Sequence, residues 1–311
     1  MATSGSKDYS ITRANIIDAA LRKTGEFDAG DTVPGDETTA ADFALNLMIK
    51  EWVARGIDIW LRDEVTLFLQ PNQQSYAMGT ANATTSYVET TTTAAEVTSA
   101  TVIDVTSSTG MTAADIIGIK LDDDSIHWDT IATVDSSIQV TITTGIASAA
   151  ASGNKVYAYT TTAGRPQKII SAFRRDINAL DTQVSIIGET DYRSQSNKAS
   201  EGPPVEIWYQ PTLTTGTLYV WPVDGGKNWD KLVLSCQFLP DDFDSGADNP
   251  EFPIEFGNAL VWGLAAELAS EYGLPPKEVQ YLEAKAEHKI DIMLNYDVEN
   301  ASVEFALDVR H

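Results

Sequence analysis

Apolar positions recur four residues apart at Phe256, Leu260, Leu264, Leu268 and Tyr272, and Val261, Trp262, Ala265 and Ala269 make a second stripe beside the first. An apolar arc this wide predicts a helix buried on several sides. The run free of polar side chains, Ala259 to Ala266, is closed by Asn258 and Glu267. It falls well short of the about 20 mostly apolar residues that a membrane span needs. The flanks agree with a helix. Pro253 suits a first turn, Glu251 and Glu255 suit the positive N-terminal end, and Gly273 suits the left-handed position just past the C-terminus. Pro275 and Pro276 then start a second helix, in which Val279, Leu282, Ala286, Ile290 and Met293 share one face. Together they predict an α-hairpin from Glu251 to Glu299 that forms core; the sharper alternative is that part of its surface packs against another subunit.

The same periodicity predicts two helices early in the chain. One runs from Thr12 to Thr24 and turns Ile16, Ile17, Ala20 and Leu21 inward, with Ser10 or Thr12 as cap and Gly25 as stop. The other runs from Glu37 to Arg55, with Phe43, Leu47, Met48 and Trp52 as its inner face and Gly56 as its end. Between them lies GEFDAGDTVPGDE, rich in turn formers. Period two takes over from Glu64 to Gln70, where Val65, Leu67 and Leu69 alternate with less apolar positions.

From Thr80 to Thr162 the chain is dominated by Thr, Ser, Ala and Val, and its only basic residues are Lys120 and Lys155. The pieces TVIDV, DIIGIKL, IHWDTIATV, IQVTIT and KVYAYT are separated by turn signals. This predicts a small all-β barrel or sandwich, inserted into the chain as a separable module. Helical and mixed character is expected to resume at GRPQKIISAFRRD. PVEIWYQP, GTLYVWP and DKLVLSCQFL then predict an antiparallel meander. After the hairpin, ASVEFALDVRH returns to period two. It places Val303, Phe305, Leu307 and Val309 on one side of an extended chain, a pattern suited to binding along a partner, the alternative being a strand tucked onto the chain's own meander. The expected fold class is α+β. A helical-bundle body with a β meander takes residues 1–79 and 163–299, an inserted all-β domain takes 80–162, and an extended C-terminal tail takes 300–311.

Charge narrows the function. Among 311 residues, 45 acids stand against 21 bases, a net charge of −24. A general nucleic-acid binder carries a basic surface that displaces phosphate counterions, and this chain carries the opposite. Anionic membranes are disfavoured on the same ground. Cys236 is the only cysteine, so no intrachain disulfide is expected, and its apolar strand-like setting suits a buried thiol. MATSGSKDYS lacks the apolar run of a secretory signal. These features point to a protein made and assembled in a reducing cytoplasm.

Searching for chemistry assigns no catalytic residue, no cofactor site and no metal site. There is no phosphate-binding glycine loop, CxxC or HExxH, and His127, His288 and His311 lack ligand spacing. LDDDSIHWD, with Asp122, Asp123, Asp124, His127 and Asp129, is the most metal-like cluster. It reads better as a hairpin turn between Ile117–Leu121 and Ile126–Thr130. Glu255, flanked by Ile254 and Phe256, is a conceivable glycosidase acid, but a charge in a first helical turn is the simpler reading. Arg174 and Arg175 in FRRD suit an ion pair, within the chain or at a subunit boundary. GETDYRSQSNKASEGPP, with Arg193 and Lys198, reads as a solvated surface loop.

Five stretches occur in a telling order: YSITRANIIDAALRKTG, LNLMIKEWVARGIDIWLRDEVTLFLQPNQQSYAMG, GRPQKIISAFRRD, YVWPVDGG and EFPIEFGNALVWGLAAELASEYGLP. Together they resemble the head-to-tail adaptor (tail accessory factor) family of short-tailed bacteriophages. The likeness covers nearly the whole chain apart from the Thr-rich β segment. It implies a non-enzymatic structural protein of the virion tail or neck, assembled in the host cytoplasm as a ring of twelve copies under the portal protein. Such a ring prolongs the DNA channel and offers a platform to the tail nozzle, with tail fibres as a further partner. Genomic DNA would pass an acidic channel without sticking. The portal or a neighbouring adaptor would then be the acceptor of the C-terminal tail. Some members of the family are associated with peptidoglycan cleavage, so an adaptor that is also a muramidase is the alternative. A free-standing carbohydrate-binding β protein is a third reading.

Overall fold

The computed structural model describes residues 10–28, 30–55, 61–79, 82–226, 229–248 and 254–296. The elements in chain order open with the helices α1 (Arg13–Thr24) and α2 (Gly35–Ala54). Nine strands follow: β1 (Arg62–Phe68), β2 (Ser75–Met78), β3 (Ala83–Thr84), β4 (Val88–Thr91), β5 (Val102–Asp104), β6 (Ile116–Lys120), β7 (Ile126–Ser136), β8 (Gln139–Ile142) and β9 (Lys155–Tyr159). Then come β10 (Lys168–Asp176), β11 (Asp181–Ile186), the short helix α3 (Glu189–Ser194), β12 (Glu206–Pro211), β13 (Gly216–Trp221) and β14 (Trp229–Gln237). The helices α4 (Gly257–Glu271) and α5 (Pro276–Tyr296) complete the series. The fold is α+β, with two β-sheets alongside helices. It divides into two compact units, residues 1–61 with 240–311, and residues 62–239.

In the helical unit, α1 and α2 each pack chiefly on α4 rather than on each other. α1 starts at a capping box: the Thr12 hydroxyl accepts the Asn15 N–H at 3.3 Å, and the Asn15 side chain accepts the Thr12 N–H at 3.2 Å. It stops at Gly25, which is left-handed with φ 83°. Both predicted stripes of α4 are covered: Leu260, Val261, Leu264, Ala265, Leu268 and Ala269 are buried, and Trp262 is partly so. Gly263 lets α2 close on α4, because a Cβ there would stand 2.8 Å from both the Met48 sulfur and the Trp52 ring. At the C-terminus Gly273 takes φ 65°. The Gly273 N–H donates to the Ser270 carbonyl at 3.3 Å and the Leu274 N–H to the Ala269 carbonyl at 3.2 Å, a complete Schellman cap.

The inner face of α2 differs from expectation. Met48 and Trp52 are buried as predicted, with Ala41, Leu45 and Ile49 beside them. Phe43 and Leu47 are instead 68 % and 54 % exposed. At 100° per residue, two positions from Leu45 is about 200°, so both side chains leave the far side of the helix from the core.

In the β unit, six antiparallel strands run in the order β4-β9-β6-β7-β8-β5. The two ends meet through a bridge between Thr92 and Val105, with Thr93 N–H to Asp104 O at 2.9 Å and Thr106 N–H to Thr91 O at 2.8 Å. The result is a nearly closed barrel around Ile103, Ile117, Ile119, Val140 and Val156. The second sheet has eight strands in the order β2-β13-β12-β11-β10-β14-β1-β3.

Two expectations fail in this sheet. KIISAFRRD is the strand β10, not the return of helical character. The three later strands do not form a simple meander. β12 and β13 make an antiparallel hairpin, but β14 lies between β10 and β1, and β11 pairs with β12 in parallel. Leu232, Val233 and Leu234 are all buried, so β14 is covered on both faces and belongs in the sheet centre. The parallel pair is joined through α3 and a long loop, as a crossover requires.

The barrel is sewn to the larger sheet. Phe68, fully buried, lies 4.7–5.3 Å from the rings of Tyr87, Trp128 and Tyr157, measured between centroids. The Gln70 amide donates to the Ile126 carbonyl at 2.7 Å and accepts the Ile126 N–H at 2.9 Å.

Candidate interaction surfaces

The tail residues Val303, Phe305, Leu307 and Val309 lie outside the described residues, as do Glu251 and Pro253. A groove of about 440 Å³ lies between α2 and α4, with both apolar and acidic residues along it. Ala44 and Met48 lie along it, Phe43 and Leu47 contribute its exposed apolar side, and Glu51, Glu267 and Glu271 carry its charge. Near one end, the Tyr272 hydroxyl donates to the Glu37 carboxylate, tying the end of α4 to the start of α2. Burial raises the Tyr272 phenol, and the nearby carboxylate of Glu37 raises it further, so it remains a donor at neutral pH.

Sequence reasoning placed Phe43 and Leu47 in the core and so missed this groove. A usable signal was present. Ala40, Phe43, Ala44 and Leu47 have the i, i+3, i+4, i+7 spacing of a complete amphipathic stripe. It is distinct from the buried stripe of Ala41, Leu45, Met48 and Trp52.

The candidate chemistry resolves into structure. LDDDSIHWD is the β6–β7 hairpin, with Asp124 left-handed at φ 67°. Its carboxylates serve the barrel itself. Asp122 accepts the Ala151 N–H at 2.8 Å, Asp123 the Ser125 N–H at 3.1 Å, and Asp129 the Thr144 N–H at 2.5 Å. Among the described residues no three His, Cys, Asp or Glu side chains converge as a metal site would require. Glu255 stands exposed in the 3-10 turn Ile254–Phe256 that precedes α4. Arg175 makes the expected ion pair, bidentate to Asp181 at 2.7 and 2.8 Å. Hydrogen bonding from Arg175 holds the Asp181 carboxyl below the usual carboxylate range. Arg174 donates to the Pro204 carbonyl at 2.8 Å.

The segment after β11 is largely exposed, as expected, but it contains α3 and is anchored at Tyr192 and Lys198. Lys198 gathers the carbonyls of Tyr192 and Gln195 at 2.7 and 3.0 Å. Tyr192 is buried beside Trp208 and Tyr219. Cys236 is fully buried, and burial pushes its thiol up to about 12. No helix among the described residues is long and apolar enough to cross a membrane. No protein-family model matches the chain, and no curated protein matches it.

Proposed function

We propose that this chain is a structural head-to-tail adaptor of a short-tailed bacteriophage. Copies form a ring under the portal, extend the DNA channel, and present the platform to which the tail nozzle attaches. The observation that carries the reading is the open groove of Phe43 and Leu47 on a unit in which both apolar stripes of α4 are largely buried. A subunit that leaves large apolar side chains in a formed groove is suited to assembly. The order of the five stretches that resemble the adaptor family supports the same reading, and so does the charge of −24, which gives passing DNA no foothold. On this reading the helical bundle is the ring-forming body, and the barrel of residues 80–162 is an inserted domain.

Electron microscopy of the purified protein mixed with portal rings tests the proposal. Added ring density on one end of the portal is expected, and portal rings that stay bare overturn it. The tail supplies a second measurement. With Val303, Phe305, Leu307 and Val309 as the portal hook, ending the chain at Asn300 leaves the melting temperature nearly unchanged and abolishes co-assembly. Early melting, or normal assembly, rejects the hook.

A further inference from the structure

The helical unit carries a second exposed surface of opposite charge. Lys23 of α1 lies over the Trp262 ring of α4 at 5.0 Å from its centroid. The Trp262 and Tyr281 rings meet edge to face at 6.5 Å, and Lys285 lies over Tyr281 at 5.6 Å. Two rings in edge-to-face contact are thus flanked by two cations, in one ladder across three helices. Tyr281 is 56 % exposed. Ile292, eleven positions on and so about 20° round the same helix, extends its apolar surface and is itself half exposed.

We propose that the acidic α2–α4 groove receives the basic aromatic ladder of a second copy of this chain. Charge complementarity selects this occupant. Glu267 and Glu271 flank the groove, while Lys23 and Lys285 crown the ladder. Two chains of charge −24 repel in most orientations, so the orientation that sets these lysines against these glutamates is favoured over the rest. Apolar parts match as well: Phe43 and Leu47 offer a groove side, and Tyr281 and Ile292 offer protruding apolar side chains. The geometry is head-to-tail. Trp262 and Glu271 are nine positions apart on α4, about half a turn around the helix, so the two surfaces lie on different sides of the unit. Contacts between unlike patches propagate from copy to copy and close into a ring when the rotation permits. The inference deepens the ring-forming part of the adaptor reading and rests on it for closure.

Charge reversal in the full chain tests it. One variant carries Glu267→Lys with Glu271→Lys, the other Lys23→Glu with Lys285→Glu, and circular dichroism with a thermal melt confirms that each is folded. Assembly is followed by sedimentation velocity at the highest soluble concentration. Wild-type chains are expected to associate. Each variant alone faces like charge at the contact and should associate at least about tenfold more weakly. Mixed in equal amounts, the two should assemble again, because every contact then joins opposite charges. A wild type that stays monomeric, variants that assemble as wild type does, or a mixture that fails to recover overturns the inference. The adaptor reading is scored separately with portal rings. Portal binding that ignores the charge reversals sinks these surfaces alone. Charge-dependent assembly without portal binding sinks the adaptor role alone.

Discussion

Lys231 is an ammonium only 6 % exposed, held under the barrel. It donates to the Glu89 carboxylate at 2.5 Å and to the Tyr87 hydroxyl at 3.2 Å, and lies 5.1 and 4.9 Å from the ring centroids of Tyr87 and Tyr157. Glu89 also takes Lys155, so one carboxylate serves two cations. Burial alone would raise the Glu89 carboxyl, but hydrogen bonds and charge from Lys155 and Lys231 outweigh it and hold it below the usual range. Glu89→Gln leaves a buried cation without its counterion, and we expect a loss of about 2–3 kcal/mol in urea unfolding at pH 7. The sign with pH follows from the depressed value. The contribution of Glu89 is full above the unfolded-state carboxyl range, about pH 4.3, and is lost as pH falls through the lower folded value. The gap between wild type and Glu89→Gln should therefore be constant near neutrality and shrink in acid. A gap that grows in acid contradicts the assignment.

At the scale of elements, α4 is the piece on which α1 and α2 both rest, and Gly263 sets how closely α2 approaches. Gly263→Ala puts a methyl against Met48 and Trp52 and should cost about 1–3 kcal/mol, read as a lower thermal midpoint. The helix ends were legible in the sequence because their causes are local: Thr12 with Asn15, Gly25, and Gly273 before Pro275 act within a few residues. The barrel strands were legible for the same reason, through alternation broken by turns. The face of α2 was not. Two stripes with helical period interleave there, and only the position of α4, two hundred residues along, selects Ala41, Leu45 and Met48 over Phe43 and Leu47. The place of β14 was hidden likewise, since strand order depends on partners as distant as β1. The groove is the sum of these effects. It joins a misassigned face to a helix end far away in sequence, while the tail pattern, which was visible, falls outside the described residues.

For the whole molecule, the aromatic seam bears on how the β insert can be removed. Replacing residues 80–162 by a short Gly/Ser linker uncovers Phe68 and leaves Lys231 without Glu89. The simple excision should therefore aggregate, and the same excision with Phe68→Thr and Lys231→Thr should stay soluble and cooperative in its melt. Equal behaviour of the two, by light scattering, would show that the seam is not what ties the barrel down. The charge of −24 leads to a separate expectation: no micromolar binding of duplex DNA in a gel shift at physiological salt. The discontinuity of the helical unit has a consequence for the nascent chain. α1 and α2 are translated well before α4, and the intervening residues form another unit. At bacterial elongation rates of about 5–20 residues per second, roughly 10–40 s separate the emergence of α2 from that of α4. Through that interval Ile16, Leu21, Leu45 and Trp52 have no α4 to lie against, whereas the β unit, residues 62–239, is fully translated before α4 emerges. The chain should therefore engage holding chaperones on the ribosome through its first two helices and release them only when residues near Leu264 emerge.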